Sequence, residues 1–547
     1  MEGFVLEADR IAREKRRGVW PGRVATDYLD RWAAEKPQAT ALVAWRLDEE
    51  SETRLSWAQL ADRVARFARV LERAGVGPGD VVSFQLPSGW EFVAGYLATV
   101  RVGAAANPLM PIFRHRELSF MLRKAEARVF IAPARFRGFD HGALARQLAG
   151  ELPGMRVLLA GGEGAESLEA ALDAASGSGY ERGARLGPDE VTQLLYTSGT
   201  TGESKGVLHT SNTLLGAVHS LARRMEIGAG DVIFMPSPLA HQLGFCYGML
   251  MSVVLGIPLV LTDIWRPARA AQLIEANGAT FTFAATPFLA DLAALAREGG
   301  KRRLGRLRLF ASSGAPIPPA VAQAARDKLD VAVAACWGMT ECASVTITPP
   351  DGSRATESDG CALDNGEVRI VDADGREVPR GEIGALQVRG ASLFTGYLKR
   401  PDLYRLDAGG WFDTGDLARM DADGYIRICG RSKDVIIRGG ENIPVVEIEA
   451  ALYRMPQVAD AAVVAMPDAR LQERACAFVS LRPGKLLDLD AVCRHLAAEG
   501  FSKHFWPERL EVLAEMPRTA TGKIQKFVLR EVAKSLPEQA AAAPRAA

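Results

Sequence analysis

Residues 196–209 read YTSGTTGESKGVLH, and this stretch decides how the rest of the chain is interpreted. A strand-like apolar run, 191–196, leads into it. Gly199 and Gly202 allow positive φ angles, at which backbone N–H groups turn inward and form a concave site for an anion. Further donors come from four hydroxyl side chains and one cation: Thr197, Ser198, Thr200, Thr201 and Lys205. The stretch predicts a loop that binds a polyphosphate. The loop is not a P-loop, because two residues separate Gly202 from Lys205.

Length and composition limit the possible classes of protein. A chain of 547 residues is too long for one core and predicts two or more domains. Its 48% apolar and 24% charged residues are ordinary for a globular protein. Sixty-six basic residues balance 66 acidic ones, so no global field directs the chain to nucleic acid or to an anionic membrane. Seven cysteines without a CxxC pair indicate neither a disulfide framework nor a zinc site, which favours a reducing cytoplasm.

One uncharged segment, 243–262, is nearly long enough to cross a membrane. Gly256 and Pro258 interrupt it, which predicts a buried helix over 245–255 followed by a buried strand over 257–261. The charged N-terminus lacks the apolar stretch of a signal peptide. We therefore expect no transmembrane segment and a cytoplasmic location.

Strand-like and helical patterns alternate along the first 335 residues, which predicts an α/β fold with mostly parallel sheets buried on both faces. The strand predictions are 81–86, 129–132, 157–160, 191–196, 280–284, 307–311 and 331–335, with a helix over 91–102. After about Gly360, short alternating segments separated by Asp-Gly and Gly-Glu turns predict a small antiparallel β-barrel or a meander.

From Arg431 the sequence mixes helical and strand-like patterns, which predicts a small α+β domain. Its predicted helices are 446–453 and 489–499, and its predicted strands are 461–466 and 475–481. The domain prediction is thus a large N-terminal domain, 1–430, built from two βαβ-type sheets and the small barrel, and a C-terminal domain, 431–535. The low-complexity tail, 536–547, is expected to be disordered.

Four further motifs carry candidate chemistry. CWGMTE (336–341) follows a predicted strand, where Thr340 and Glu341 could hold phosphate oxygen and Mg²⁺; a strand-end turn with a solvated glutamate is the alternative. Asp416 in WFDTGDLA could accept hydrogen bonds from ribose hydroxyls, or could cap a turn. GRSKDVIIRGGENIPVVEIE (430–449) has the pattern of a polar linker before a helix. PRTATGKIQK (517–526) is a cationic loop around Lys523, which alone would be a solvated lysine.

Together the five motifs, in this order and over essentially the whole chain, resemble those of the adenylate-forming superfamily, which contains acyl-CoA synthetases, adenylation domains of peptide synthetases and firefly luciferase. The resemblance implies an ATP site in which Thr340 contacts phosphate and Glu341 helps to hold Mg²⁺. Asp416 would bind ribose, and Arg431 would contact ribose and phosphate. The implied adenine-site residues are Gly314, Ala315, Pro316, Trp337, Gly338, Met339 and Ile428.

The resemblance also implies two half-reactions. Lys523 would contact the acyl carboxylate and the α-phosphate during adenylation. The C-terminal domain would then turn about Lys433, and Gly439 and Gly440 would admit coenzyme A. Phe505 departs from the pattern, because relatives commonly carry a lysine there, and Lys503 or Arg438 is the candidate replacement.

The implied activity is that of an AMP-forming acid–CoA ligase with ATP, Mg²⁺ and coenzyme A. The acyl pocket would contain His241, Gly244, Phe245, Gly248 and Gly338. Gly338 replaces the tryptophan that blocks the pocket of acetate-activating relatives, so a cyclic, aromatic or medium-chain acid is expected, as in bacterial cyclohexanecarboxylate–CoA and medium-chain acyl-CoA ligases. Loading of a separate carrier protein is the alternative. A non-catalytic acyl or nucleotide sensor would lack the catalytic residues, whereas they are present. A homodimer is compatible with the sequence.

Overall fold

The computed structural model describes residues 1–177, 186–197, 204–296, 300–314, 317–438, 441–468, 472–518 and 524–536. For Lys433, Ile437, Glu441, Asn442 and Gln472 it describes the backbone only. The chain forms two compact units. The first contains residues 1–369, 387–412 and 424–426, and the second contains the remaining segments, 370–386, 413–423 and 427–547.

A nine-stranded sheet lies in the first unit. Its centre is parallel, and antiparallel strands border it on both edges. The parallel strands are apolar and buried, as expected of a sheet covered on both faces. In spatial order the strands are Cys361–Ala362, Ala343–Ile347, Ala332–Met339, Leu309–Ser313, Phe281–Ala284, Ile233–Met235, Leu259–Thr262, Thr40–Arg46 and Ser51–Ser56.

A six-stranded sheet in the same unit carries the strands on both sides of the glycine-rich loop. Lys205–Thr210 is its edge strand and pairs antiparallel with Val191–Thr197, while the other pairs are parallel. The remaining strands follow in the order Ala105–Pro108, Val81–Phe84, Ala127–Pro133 and Arg156–Ala160. A two-stranded ribbon joins Arg135–Phe136 to Phe139–Asp140.

Helices cover these sheets and bury their apolar faces against them. For example, Trp57–Arg73 begins at Ser56, whose hydroxyl accepts a hydrogen bond from the Gln59 N–H, and buries Leu60, Val64 and Phe67. The α-helices of the first unit are Ala8–Arg16, Ala25–Glu35, Trp57–Arg73, Trp90–Arg101, His115–Ala125, His141–Glu151, Leu168–Ala174, Ser211–Arg224, Met251–Leu255, Pro267–Ala276, Thr286–Ala294 and Pro319–Ala324. Short 3₁₀-helices are Gly164–Glu166 and Pro401–Leu403, and a π-helical turn is Ala325–Leu329.

The uncharged segment 243–262 is a buried helix followed by a buried strand, as predicted. A π-helix, Gly244–Leu250, continues as the α-helix Met251–Leu255, and the strand Leu259–Thr262 lies inside the nine-stranded sheet. Among the described residues, none of the helices has both the length and the apolar character needed to cross a membrane.

Four strands after residue 360 lie side by side in the order Gly366–Val371, Gly384–Gly390, Phe412–Met420 and Ile426–Arg431. Neighbours in this order are also consecutive in the chain, so within the described residues the strands form an open meander, one of the two predicted arrangements, and not the closed barrel. Small closed barrels have about five to eight strands, and four are too few to close.

The C-terminal part of the second unit is an α+β fold, as predicted. A five-stranded sheet contains Glu441–Ile443, Ile436–Arg438, Gln472–Leu481 and Val458–Asp468 in that order, and Arg509–Leu513 pairs in parallel with Gln472–Leu481. Its helices are Val445–Tyr453, Leu489–Ala498 and Lys526–Ser535, with 3₁₀-helices at Ser432–Asp434 and Lys503–Phe505. The predicted α/β class of the chain is confirmed. The tail, 537–547, lies outside the described residues.

Residues 336–339 and Asp416 lie on strands, so the turns that were the alternatives for these motifs are not where these residues stand. The strand predicted to end at Ala335 continues to Met339, because 336–339 pair with Ala343–Ile347. Asp416 lies within Phe412–Met420, whose burial alternates residue by residue and places Asp416 on the buried face. A strand with one buried face is recognised by apolar residues at alternate positions, and Asp416 interrupts that pattern because it is a carboxylate at a buried position.

Candidate functional site

The hairpin turn after Met339 carries Thr340 and Glu341. The Cys342 N–H donates to the Met339 carbonyl at 3.2 Å, which closes the turn, and Ala343 then adopts a left-handed φ of +53°. Glu341 is buried although it carries a carboxylate, so its surroundings must supply hydrogen bonds. Four residues from other parts of the first unit either donate a hydrogen bond to the Glu341 carboxylate or bond to the backbone of the turn.

Tyr397 holds the Glu341 carboxylate. The Tyr397 hydroxyl donates a 2.8 Å hydrogen bond to Oε1 of Glu341, and both side chains are buried. Burial and the neighbouring carboxylate raise the pKa of Tyr397, so its hydroxyl keeps the proton that it donates. The backbone of Glu341 is held as well, because the Phe394 N–H donates to the Glu341 carbonyl at 2.7 Å.

His209 holds the backbone of Thr340. Its Nε2 lies 2.7 Å from the Thr340 carbonyl oxygen, which can only accept, so Nε2 carries the proton. Its Nδ1 lies 3.0 Å from the Thr213 hydroxyl, which also donates to the Thr210 carbonyl at 2.9 Å. Burial lowers the pKa of His209 to about 4, so the ring is neutral near pH 7 and its hydrogen-bonding roles are fixed.

The other end of the turn is held by the π-helix. Ser344, one residue beyond Ala343, donates its N–H to the Tyr247 hydroxyl at 2.8 Å. Tyr247 lies in Gly244–Leu250 and stacks at 5.2 Å on Phe283. π-Helical turns are rare and occur frequently at functional sites.

The glycine-rich loop is described only at its ends. Thr197 and Lys205 are partly buried and pair across the two strands that enter and leave the loop. The Lys205 Nζ lies 4.7 Å from the centroid of the Tyr397 ring, a cation–π distance. Tyr397 thereby contacts both the loop lysine and Glu341. The remaining loop predictions, Ser198, Gly199, Thr200, Thr201 and Gly202, lie outside the described residues.

The predicted adenine-site residues of the first unit lie on two neighbouring strands. Trp337, Gly338 and Met339 end Ala332–Met339, and Gly314 directly follows the adjacent Leu309–Ser313. A Cβ on Gly338 would lie 2.0 Å from the Ala343 carbonyl oxygen. The close approach of the hairpin strands therefore requires glycine at 338. This requirement is independent of the role that the sequence suggests for Gly338 in the acyl pocket. Ala315 and Pro316 lie outside the described residues.

The predicted acyl-pocket residues precede or begin the π-helix. The Nδ1 of His241 accepts the Leu243 N–H at 3.3 Å, which orients the ring. Phe245 is fully buried, and its ring lies 4.7 Å from that of Tyr96. A Cβ on Gly244 would lie 2.3 Å from the Pro238 carbonyl oxygen, so packing against residues 237–238 also requires this glycine. Gly248 is buried within the same helix.

The second unit contains the predicted ribose-binding pair. Arg431 donates from Nε to Oδ1 of Asp416 at 3.0 Å. Asp416 is buried and Arg431 is about half exposed, with 47% of its side-chain surface accessible. Ile428 is partly buried on the strand that ends at Arg431. Lys433 lies in the 3₁₀-helix Ser432–Asp434, directly after that strand.

The other predictions in this unit concern the thiol acceptor and Lys523. Arg438 forms a 2.5 Å ion pair with Glu508 and donates to the His504 carbonyl, while Lys503 is exposed. Phe505 packs against the core of the unit. Gly439, Gly440 and Lys523 lie outside the described residues.

Sequence inspection missed His209, Tyr247, Phe394 and Tyr397. His209 stands inside the opening motif, yet histidine has no local pattern that indicates a contact with residue 340. Tyr397 acts across 56 positions of the chain. A pairwise contact of this kind becomes visible only when the fold is known.

Comparison with known proteins agrees with the motifs. The family model of the AMP-binding enzymes matches residues 29–398, and the model of their C-terminal domain matches residues 447–523. The medium-chain fatty-acid–CoA ligase of Escherichia coli (strain K12) is 34% identical over 96% of this chain and 94% of its own.

Two more relatives extend the comparison. The salicylyl-CoA synthase / salicylate adenylyltransferase of a Streptomyces species is 33% identical over 97% of this chain and 98% of its own. The crystal structure of ATP-bound MatB from Rhodopseudomonas palustris superposes with a TM-score of 0.84 at 29% identity, over 94% of this chain and 99% of that one. The chain therefore belongs to the family of AMP-binding enzymes, within the adenylate-forming superfamily.

Proposed function

We propose that the protein is an ATP-dependent carboxylic acid–CoA ligase that acts through an acyl-adenylate. The observation that carries the proposal is the role of Tyr397, whose hydroxyl donates to the buried Glu341 carboxylate and whose ring contacts the cation of Lys205. A carboxylate and a lysine suit a complex of Mg²⁺ with a polyphosphate, because Mg²⁺ is held by one or two carboxylates together with substrate phosphates. The names of the relatives support this activity, since two of them are CoA ligases.

The first half-reaction makes the carboxylate reactive. A carboxylate is a poor electrophile because its leaving group would be oxide. Attack of one carboxylate oxygen on the α-phosphorus of ATP forms an acyl–phosphate bond and releases pyrophosphate, and AMP can leave later. This chemistry depends on positioning and on charge stabilisation. In the proposal, Lys205 and the hydroxyls of 197–201 bind the β- and γ-phosphates, and the Thr340 hydroxyl binds the α-phosphate.

Glu341 fits a magnesium ion. Mg²⁺ is usually held by one or two carboxylates together with substrate phosphates and waters. Tyr397 uses one lone pair of the carboxylate, which has about four acceptor positions. In the part of the chain that the structure describes, no group of three His, Cys, Asp or Glu side chains could hold a metal. When bound, the ion would neutralise phosphate charge.

Asp416 and Arg431 would bind the ribose of the nucleotide. Arg431 Nε donates to Oδ1 of the Asp416 carboxylate, and a carboxylate is the type of acceptor that binds ribose hydroxyls in other nucleotide sites. The adenine contacts of the proposal are Ile428, Trp337, Gly338, Met339 and 314–316. ATP and AMP carry the same ribose, so this pair would serve both nucleotides.

The second half-reaction transfers the acyl group to a thiol. We propose that 431–535 turns about Lys433 after adenylation, that this removes Lys523 from the acyl carboxylate, and that Gly439 and Gly440 then admit the pantetheine of coenzyme A. The thiolate attacks the acyl carbon and AMP leaves. Lys503 is a better candidate than Arg438 for a contact with the CoA phosphates, because Arg438 is engaged by Glu508.

The acid is proposed to be aromatic, cyclic or medium-chain. His241 and Phe245 would border it, next to a set of buried aromatic rings: Phe92, Tyr96, Tyr247 and Phe283. Apolar walls of this kind favour an apolar acyl group. The substrate named for the E. coli relative is a medium-chain fatty acid, and that for the Streptomyces relative is salicylate.

The test is a pyrophosphate-release screen over a panel of carboxylic acids, with and without CoA. We expect acid-dependent pyrophosphate release, and AMP and acyl-CoA formation only when CoA is present. Release without thioester formation would favour a carrier-protein acceptor. ATP binding without release for any acid of the panel would favour the sensor and contradict the proposal.

A further inference from the structure

Arg10 has an unusual environment for an arginine. It lies on the helix Ala8–Arg16 near the start of the chain, with only 8% of the residue exposed. Its guanidinium donates to the carbonyls of Gly390 at 3.3 Å and Phe394 at 3.0 Å, and also to that of Leu393. Hydrogen bonds from a charged donor are about twice as strong as neutral ones. One side chain thus fixes three carbonyls of a distant segment.

Neighbouring residues reinforce this contact. The Val5 N–H donates to the Thr395 carbonyl at 2.6 Å, and the Trp20 indole N–H donates to the Ala391 carbonyl at 2.9 Å. The segment 390–395 is thereby hydrogen-bonded at five carbonyls by residues 5–20 of the chain. We call residues 5–20 the N-terminal brace.

The segment that the brace holds leads directly to Glu341. The carbonyl of Phe394 accepts from Arg10, and the N–H of the same residue donates to the Glu341 carbonyl at 2.7 Å. Three positions later, the Tyr397 hydroxyl donates to the Glu341 carboxylate. Phe394 also packs on the Tyr397 ring, with centroids 4.7 Å apart. Arg10 is therefore two hydrogen bonds away from the backbone of Glu341.

We infer that Arg10 is a positioning residue for adenylation, acting through Phe394 and Tyr397 on Glu341. The inference rests on the proposed function, since it assigns a purpose to the placement of Glu341. It also assigns a role to a residue that precedes residues 29–398, the range that the model of the AMP-binding enzymes matches. Without Arg10, three carbonyls would lose a charged donor and the segment 390–397 would shift relative to the turn.

The test compares Arg10→Met with Arg16→Met, an exposed arginine of the same helix. Two readouts are used: binding of Mg·ATP and of AMP by calorimetry, and the two half-reactions. We expect Arg10→Met to slow adenylation about a hundredfold, the effect of a displacement of about 1 Å. Mg·ATP binding should weaken, while AMP binding and thioester formation from supplied acyl-adenylate stay near wild type. Arg16→Met should resemble wild type throughout.

Two further variants keep the inference testable if Arg10→Met folds poorly. Arg10→Lys retains the charge and should give an intermediate loss. Tyr397→Phe removes only the hydroxyl, and in this background the loss caused by Arg10→Lys should shrink, because coupled residues are non-additive. Additive losses would overturn the inference. So would equal weakening of Mg·ATP and AMP binding, or parity of Arg10→Met with Arg16→Met.

Failure of the proposed function can be told apart from failure of the inference about Arg10. If no acid in the panel supports pyrophosphate release by the wild-type protein, the proposed ligase activity is wrong. The nucleotide-binding comparison still decides the role of Arg10, because it needs no acid.

Discussion

The hydroxyl of Tyr397 lies 2.8 Å from Oε1 of Glu341, and both residues are buried in the first unit. The same tyrosine ring is contacted by Lys205, which follows the glycine-rich loop. One side chain therefore relates the motif of the opening stretch to the motif at 336–341, two features that are more than a hundred residues apart in the sequence.

The first prediction concerns this hydroxyl. Tyr397→Phe should lower the free energy of unfolding by about 2 kcal/mol, because a hydrogen bond to a buried charged group is lost. Adenylation should slow at least about tenfold. Denaturant unfolding and pyrophosphate release are the measurements. Tyr28→Phe is the control: it removes a hydroxyl that lies 3.1 Å from His219, outside the proposed site, and should leave adenylation unchanged. Equal rates for the two variants would contradict the role of Tyr397.

The second prediction concerns the ribose pair. Asp416→Asn should weaken ATP and AMP binding alike, by about tenfold to a hundredfold, because both nucleotides carry the same ribose and a charged acceptor is lost. Calorimetric titration of both nucleotides is the measurement. Asp413→Asn on the same strand is the control, since Asp413 is exposed and an asparagine still accepts the Gly415 N–H. Weakening of ATP alone would show that Asp416 acts on the phosphates instead.

The third prediction separates the half-reactions. Lys523→Ala should abolish adenylation, because the positive charge on the acyl carboxylate and α-phosphate is removed, and should spare thioester formation from supplied acyl-adenylate. Lys534→Ala is the control, because Lys534 is exposed and pairs with Glu531. Equal loss of both half-reactions in Lys523→Ala would refute the assigned role.

The fourth prediction is a pH dependence. Burial lowers the pKa of His209 to about 4 from an unfolded value near 6.5, so between these values the unfolded chain binds more protons. The contribution of His209 to stability is thus complete above about pH 6.5 and declines as the pH falls towards 4. The slope from one such group is at most about 1.4 kcal/mol per pH unit.

A second histidine provides the matched control for this pH effect. His141 is also buried with its pKa lowered to about 4, but its partner is Gln85. His209→Gln and His141→Gln should both flatten the stability curve between pH 4 and 6.5. Only His209→Gln should slow adenylation, since only His209 bonds to Thr340. Slowing by His141→Gln of the same size would contradict a specific role for His209.

The fifth prediction distinguishes two roles of Gly338. A Cβ at this position would lie 2.0 Å from the Ala343 carbonyl oxygen and would displace the turn that carries Thr340 and Glu341. Gly338→Ala should therefore lower the rates for all acids of the panel by a similar factor. A loss confined to the bulkier acids would instead support the pocket role that the sequence suggests. Rates over an acid series, each at saturating ATP, are the measurement.

Much of the fold could be predicted because buried parallel strands are continuous apolar runs. Val81–Phe84 and Arg156–Ala160 lie within two residues of their predicted bounds for that reason. The extension of Ala332–Met339 was missed because it depends on pairing with Ala343–Ile347, and a strand ladder leaves no local signal.

The motif residues could be located from the sequence because their spacing is local, but their supports could not. Arg10, His209 and Tyr397 are single polar residues, and each bonds to a group that lies between 56 and 384 positions away. Burial of a polar side chain is the reverse of what its type predicts. Such residues become intelligible only through the hydrogen bonds that the fold provides.

The bond between Arg10 and Phe394 also has a consequence for synthesis on the ribosome. These residues are 384 positions apart, and chains grow at about 5–20 residues per second, so Arg10 emerges about 20–80 s before its acceptor. The helix that carries it has nine residues, too few to be stable alone. A nascent chain would thus keep Arg10 apart from its acceptors for most of translation, and the turn that carries Glu341 would gain this support only after nearly three quarters of the polypeptide has been made.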